Sequence, residues 1–300
     1  MNNYVFLTIG KTQESTEASQ GFKRYIGVGS AYVVAVNPTK EELEKIEGRE
    51  IVNMPDYVVD TEDGKEARVM FVVKTDPESN GGIEFTQRVT FTLRNEPDYN
   101  RDKTSVRVID RFGNSARVNV EDAKNGVKLA SNLKIDQTKY RMACHGEVDL
   151  VSFLKTYLCV PSSLNYVNGS WTVKDNADAD CLFGLDEIKK YFQGDFSEVK
   201  SAIKLQPNNK IKLLFGVRTA EDNRQYQSVA ARADFFLRNS AGSSALNKLE
   251  KDLKNAKDNG AFPTTEFEVC ELKEYEVQPT NLENKQATAS TDSSDDMPWD

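Results

Sequence analysis

The chain has 300 residues, of which 38% are hydrophobic, 29% charged and 9% aromatic, and its formal net charge is −8. Such a length is enough for two domains, and no apolar run approaches the roughly 18 residues that a membrane span needs. The single histidine, His145, excludes a multi-histidine metal site and leaves one imidazole for any Ser-His or Cys-His chemistry.

Residues 4–9, Tyr-Val-Phe-Leu-Thr-Ile, read as a strand. The start lacks the basic residues and the small-residue cleavage site of a signal peptide, so a cytoplasmic protein is expected. A second strand covers 25–36. Its Gly27-Val-Gly29-Ser-Ala-Tyr32 run lacks the third glycine of a dinucleotide fingerprint, and the chain has no Walker pattern. A helix is predicted over 39–47, opened by the capping box Thr39-Lys-Glu-Glu42 and stopped by Gly48. Strands follow at 68–75, 84–94 and 105–110.

The spacing of Val148, Val151, Leu154 and Leu158 predicts a helix over 147–159 that halts before Pro161. Trp171 lies in a strand, Gly169-Ser-Trp-Thr-Val173, and is read as a core ring ahead of a stacking platform. Residues 176–187 partly follow the calcium-loop template through Asn176, Asp178, Asp180 and Glu187. Cys181 stands where that loop needs glycine, so an acidic turn leading into a short helix at 186–192 is expected. Strands at 211–219 and 229–238, a helix at 244–257 and a strand at 266–272 complete the body. Strands dominate with helices interspersed, which predicts a mainly β, α+β fold of small barrels. Cys144, Cys159, Cys181 and Cys270 include no C-x-x-C pair and are read as free thiols rather than a mixed Cys-His zinc site. No metal or cofactor is expected, and no constellation suggests an enzyme.

From Pro279 to Asp300 the chain is polar and acidic, with a net charge of −4 from five carboxylates against Lys285. Its few apolar groups cannot offset ordering entropy, which predicts disorder. The tip, Asp295-Asp296-Met297-Pro298-Trp299, could anchor in a basic-rimmed apolar pocket of a partner.

Two segments match without a gap at an offset of 144. Phe71, Val73 and Thr75 align with Phe215, Val217 and Thr219, and R-x-x-F-x-L-R-N recurs from Arg88 and from Arg232. This predicts two related halves, 1–130 and 131–278, each with a hairpin. Strand alternation turns Val69, Phe71, Val73, Val89, Phe91 and Leu93 to a core, with Leu213, Phe215, Val217, Ala233, Phe235 and Leu237 as counterparts. The opposite faces carry Arg68, Lys74, Arg88 and Arg94, and Lys212, Arg218, Arg232 and Arg238, with Tyr226 and Phe236 among the latter. Cations that track phosphates beside rings that stack on bases suit single-stranded nucleic acid. The charge agrees locally: residues 87–117 sum to +3 and residues 204–238 to +4.

Taken with the acidic tip, the chain resembles bacterial and phage single-stranded DNA-binding proteins. More narrowly, it is similar to those of crAss-like phage replication modules. The resemblance implies an OB-fold core, which with the repeat becomes two OB-like halves in tandem, an acidic tail that recruits phage or host polymerase, helicase or recombinase, and residence in the cytoplasm of an infected bacterium. Two other classes fit part of the pattern: a processivity clamp, from the duplication and the basic faces, and a virion or assembly β-domain protein without a nucleic-acid role.

Overall fold

The computed structural model describes residues 23–62, 64–126, 129–177 and 185–276. The expected strand at 4–9, the loop around Cys181 and the tail with Asp295, Asp296, Met297, Pro298 and Trp299 lie outside the described residues.

The chain runs β1 (Arg24–Val36), α1 (Lys40–Glu47), β2 (Val58–Thr61), β3 (Gly64–Thr75), β4 (Thr86–Pro97), β5 (Ser105–Asp110), β6 (Ser115–Asn119) and α2 (Val120–Asn125). It continues as β7 (Tyr140–Met142), β8 (Cys144–His145), α3 (Glu147–Tyr157), β9 (Leu164–Val167), β10 (Ser170–Val173), α4 (Leu185–Tyr191) and α5 (Ser197–Lys204). The last elements are β11 (Ile211–Thr219), β12 (Gln225–Val229), β13 (Leu237–Arg238), α6 (Ser243–Asp258), β14 (Thr265–Phe267) and β15 (Lys273–Tyr275).

Among the described residues, ten strands join in one sheet. Its main path, β12-β11-β1-β3-β4-β8, is antiparallel and curls into a half-barrel. β6, β5 and β7 form a separate three-stranded sheet, and β9 with β10 a two-stranded ribbon. The fold is thus of the mixed α+β class expected. The two hairpins of the repeat, however, share a single sheet, because β1 pairs with β3 on one side and β11 on the other. No second barrel is found among the described residues.

Alternation along the strands builds the core. Val69, Phe71 and Val73 of β3, Leu93 of β4, and Leu213 and Phe215 of β11 are fully buried on the inner face. α3 packs across this face, with the Phe153 ring 4.6 Å from Phe71 and 5.4 Å from Phe91. Each large side chain buried here is worth about 1.5–3 kcal/mol, far more than strand propensity. α3 starts at Gly146, whose φ is +79° and whose added Cβ would lie 2.1 Å from the Thr92 carbonyl oxygen. Only glycine lets the helix begin this close to β4.

The outer face is covered at two places. α1 and the segment after it bring Leu43 and Ile51 onto Met70 and Val72. The α1 capping box is present, and Gly48 ends the helix in the left-handed region. At the other end, Leu249 and Leu253 of α6 cover Leu214 with Phe235 and Phe267. The unexpected helix α5 is short, and it buries Val199 and Ile203, one turn apart.

The second hairpin departs from the first. β3 and β4 pair without interruption from Glu66↔Arg94 to Lys74↔Thr86. In the second copy Phe215 faces Val229 while Lys212 faces Leu237, so three steps on β11 face eight on the return. The extra residues leave the ladder as a detour with a 3-10 turn at Ala233–Phe235. α3 holds the detour: Asp149 accepts from the Ala233 N–H at 2.9 Å, and the Ser152 hydroxyl donates to the Ala233 carbonyl at 3.1 Å. The expected continuous strand at 229–238 is therefore broken, and strand parity no longer governs Arg232 to Phe236.

Candidate nucleic-acid interface

The first hairpin sets Arg68, Lys74, Arg88 and Arg94 on the outer face, as alternation predicts. Each meets a carboxylate there. Glu66 takes Arg68 at 2.7 Å and Arg94 at 3.3 Å, Glu47 of α1 takes Arg88 at 2.5 Å, and Glu84 takes Lys74. The Glu47 side chain is only 9% exposed and also binds Arg49, so Arg88 serves the packing of α1 on the sheet.

In the second copy Lys212 faces Ser30 and donates to the Ala241 carbonyl at 2.7 Å. Arg218 lies 5.5 Å from the ring of Tyr226, its cross-strand neighbour. Arg232 has left the ladder and covers the Phe235 and Phe262 rings at 5.9 and 5.7 Å. Phe236 corrects the sequence reading: it is buried at 7% exposure and packs edge-on against Phe91 and Phe153, because the detour reverses its side. Arg238 donates to the Val160 carbonyl. The ten expected residues do not line one trough.

Lys74 and Lys212 do come to one strip, between the two outer covers. Tyr32 faces Lys74 across β1 and β3, and Lys210 directly precedes Ile211, which faces Ala31. Two of the strip's three lysines are paired with carboxylates. Glu84 hydrogen-bonds Lys74, and Asp76 hydrogen-bonds Lys210 at 2.6 Å. These bonds hold both ammonium groups above the usual lysine value, with the Tyr32 hydroxyl adding to the effect. Lys210 and then Ser79 hold the Asp76 carboxyl below its usual value.

A cationic groove lies elsewhere, at the junction of the three-stranded sheet, α3 and the detour. It encloses about 230 Å³. Its cations are Lys134, Lys155 and Arg238, and its hydroxyls and amide include Ser152, Thr156 and Asn114. None of the described residues that line it is acidic. The nearby acids are engaged in structural bonds. Glu147 is fully buried against Arg141 and accepts from the Cys144 N–H at 2.9 Å. Asp149 takes Arg107 at 3.3 Å besides the Ala233 N–H. Asp110 is buried and accepts from the Phe112 and Asn114 N–H groups, which shapes the β5–β6 turn that walls the groove. Across that wall Lys155 donates to the Asn114 side-chain oxygen at 2.9 Å. With these acids turned to structural bonds, the described lining of the groove carries cations, hydroxyls and an amide.

Of the expected residues, Arg238 alone lines this groove. Lys134 and Lys155 escaped the sequence reading. The one available signal was the polar stripe Ser152, Lys155 and Thr156 on the predicted helix, spaced at three and four residues.

Among the described residues no group of three or more His, Cys, Asp or Glu side chains is placed to hold a metal. Cys144, Cys159 and Cys270 are free thiols; burial, then Glu147, pushes the Cys144 thiol up, which disfavours the reactive thiolate. No described helix is long and apolar enough to cross a membrane. No family model matches this chain, and neither does any curated protein or solved structure.

Proposed function

We propose that this chain is a non-enzymatic, non-sequence-specific single-stranded DNA-binding protein of the bacteriophage replication type. The observation that supports the reading is the groove on which Lys134, Lys155 and Arg238 converge beside the Ser152 and Thr156 hydroxyls. Phosphates are matched there by point charges and hydroxyls. Such contacts hold a backbone without reading base edges, so binding tolerates any sequence. On this reading the curled sheet is an OB-like body, and the groove tracks the strand along one side of it. The tip Asp295-Asp296-Met297-Pro298-Trp299 recruits replication proteins in the cytoplasm of an infected cell.

Fluorescence anisotropy with labelled oligo-dT and with a duplex of equal length tests the proposal, alongside size determination. Saturable, salt-sensitive binding that prefers the single strand is expected. Duplex binding by a toroidal oligomer points to a clamp instead, and the absence of binding to either DNA points to an assembly protein; both results overturn the reading.

A further inference from the structure

We infer that the β9–β10 ribbon is a base-stacking arm, in which Trp171 and Tyr166 take bases of the strand whose phosphates occupy the groove. The inference rests on the single-strand reading and adds to it a second kind of contact.

Trp171 and Tyr166 are cross-strand partners, with ring centroids 5.1 Å apart and planes inclined by 54°. Among the described residues, neither ring belongs to a buried cluster. Tyr166 is 57% exposed, and Val167 beside it is 48% exposed. A two-stranded ribbon has little stability of its own, and rings placed for structure would be expected to turn inward. Here Tyr166 stands at the surface and Trp171 is half-buried, on a ribbon tied to the loop that carries Lys134. The Trp171 indole N–H donates to the Asn132 carbonyl at 3.1 Å, and its backbone N–H to the Ser131 carbonyl at 3.3 Å. Ser162, which lines the groove, donates to the Leu164 carbonyl where β9 begins.

Lys134 joins the two parts. It lines the groove, and its ammonium lies 5.2 Å from the centre of the Trp171 ring. A ligand reaching from the groove to the ribbon therefore meets cations first and flat rings next. Single-stranded nucleic acid offers that same succession, an anion followed by a π-face. Base–aromatic stacking needs no particular base, which agrees with the character of the groove.

The chain has two tryptophans, Trp171 and Trp299, so the full-length Trp299→Phe variant leaves Trp171 as its sole indole reporter. Unlabelled oligo-dT is titrated into it while a labelled oligo-dT is followed by anisotropy. Quenching of Trp171 emission that saturates together with the anisotropy is expected. Trp171→Ala, and separately the exposed-ring variant Tyr166→Ala, should each weaken binding about tenfold with the circular dichroism spectrum unchanged. Saturating anisotropy with constant Trp171 emission and parental affinity in both variants overturns the stacking arm and leaves the groove intact. No anisotropy change at all overturns the arm and the functional reading together. Equal quenching by dTMP at matched nucleotide concentration overturns the arm in favour of a free-nucleotide site.

Discussion

The salt dependence of binding tests the groove most directly. Lys134 and Lys155 are replaced together by glutamine, which keeps polarity and most of the length and removes two charges. Each cation that neutralises a phosphate of single-stranded DNA contributes about 0.7 to the slope of log affinity against log salt. Three groove cations then give a slope of about −2.1, and affinity falls about twentyfold between 50 and 200 mM salt. The double variant keeps Arg238 alone, so its slope is shallower by about 1.4 and its loss only about threefold. Lys134 is exposed and its change should shift stability by about 0.5 kcal/mol or less, whereas the half-buried Lys155 loses its bond to Asn114 at a cost of about 1 kcal/mol, which urea unfolding separates from the slope. The assay is anisotropy with labelled oligo-dT over a salt series, with urea unfolding as the control. Identical slopes in parent and variant would refute the assignment of these two lysines to phosphate contacts.

Two other perturbations separate structural charges from functional ones. Arg88→Glu sets a second carboxylate against Glu47, whose side chain is 9% exposed, and should cost about 1–3 kcal/mol in urea unfolding while leaving the salt slope unchanged; a stable variant with a reduced slope would return the outer hairpin face to the interface. Asp76→Asn addresses pH. The folded-state carboxyl is held below its ordinary value, so its stabilisation is complete above an unfolded value of about 4 and is lost as pH falls through the lower, folded one. The gap in urea midpoint between parent and variant should stay constant from about pH 7 to 5 and close below about pH 4; a gap that widens on acidification contradicts the sign.

Much of the fold was legible because it is written at short range. The Thr39–Glu42 box and Gly48 set the ends of α1 within one segment. The alternation of Val69, Phe71 and Val73 with Arg68 and Lys74 defined both faces of β3 before any partner was known. The outer-face charges illustrate the limit of that reading. Parity places Arg88 correctly, yet its partner Glu47 lies 41 residues earlier on a helix folded over the sheet. Parity also presumes an unbroken ladder. That held for β3 and β4 and failed after Val229, where Asp149 and Ser152, more than 80 residues distant, hold the detour that turns Phe236 inward.

The groove was illegible for the same reason in stronger form. Lys134, Lys155 and Arg238 come from a loop, a helix and a strand with no common spacing, and the nearby Glu147, Asp149 and Asp110 are engaged in structural bonds. Local periodicity is a property of neighbours along the backbone, and it suffices to say which side chains avoid water and which elements they build. Net charge at a point in space depends on which carboxylates packing has neutralised, and chain segments distant in sequence settle that when they come into contact.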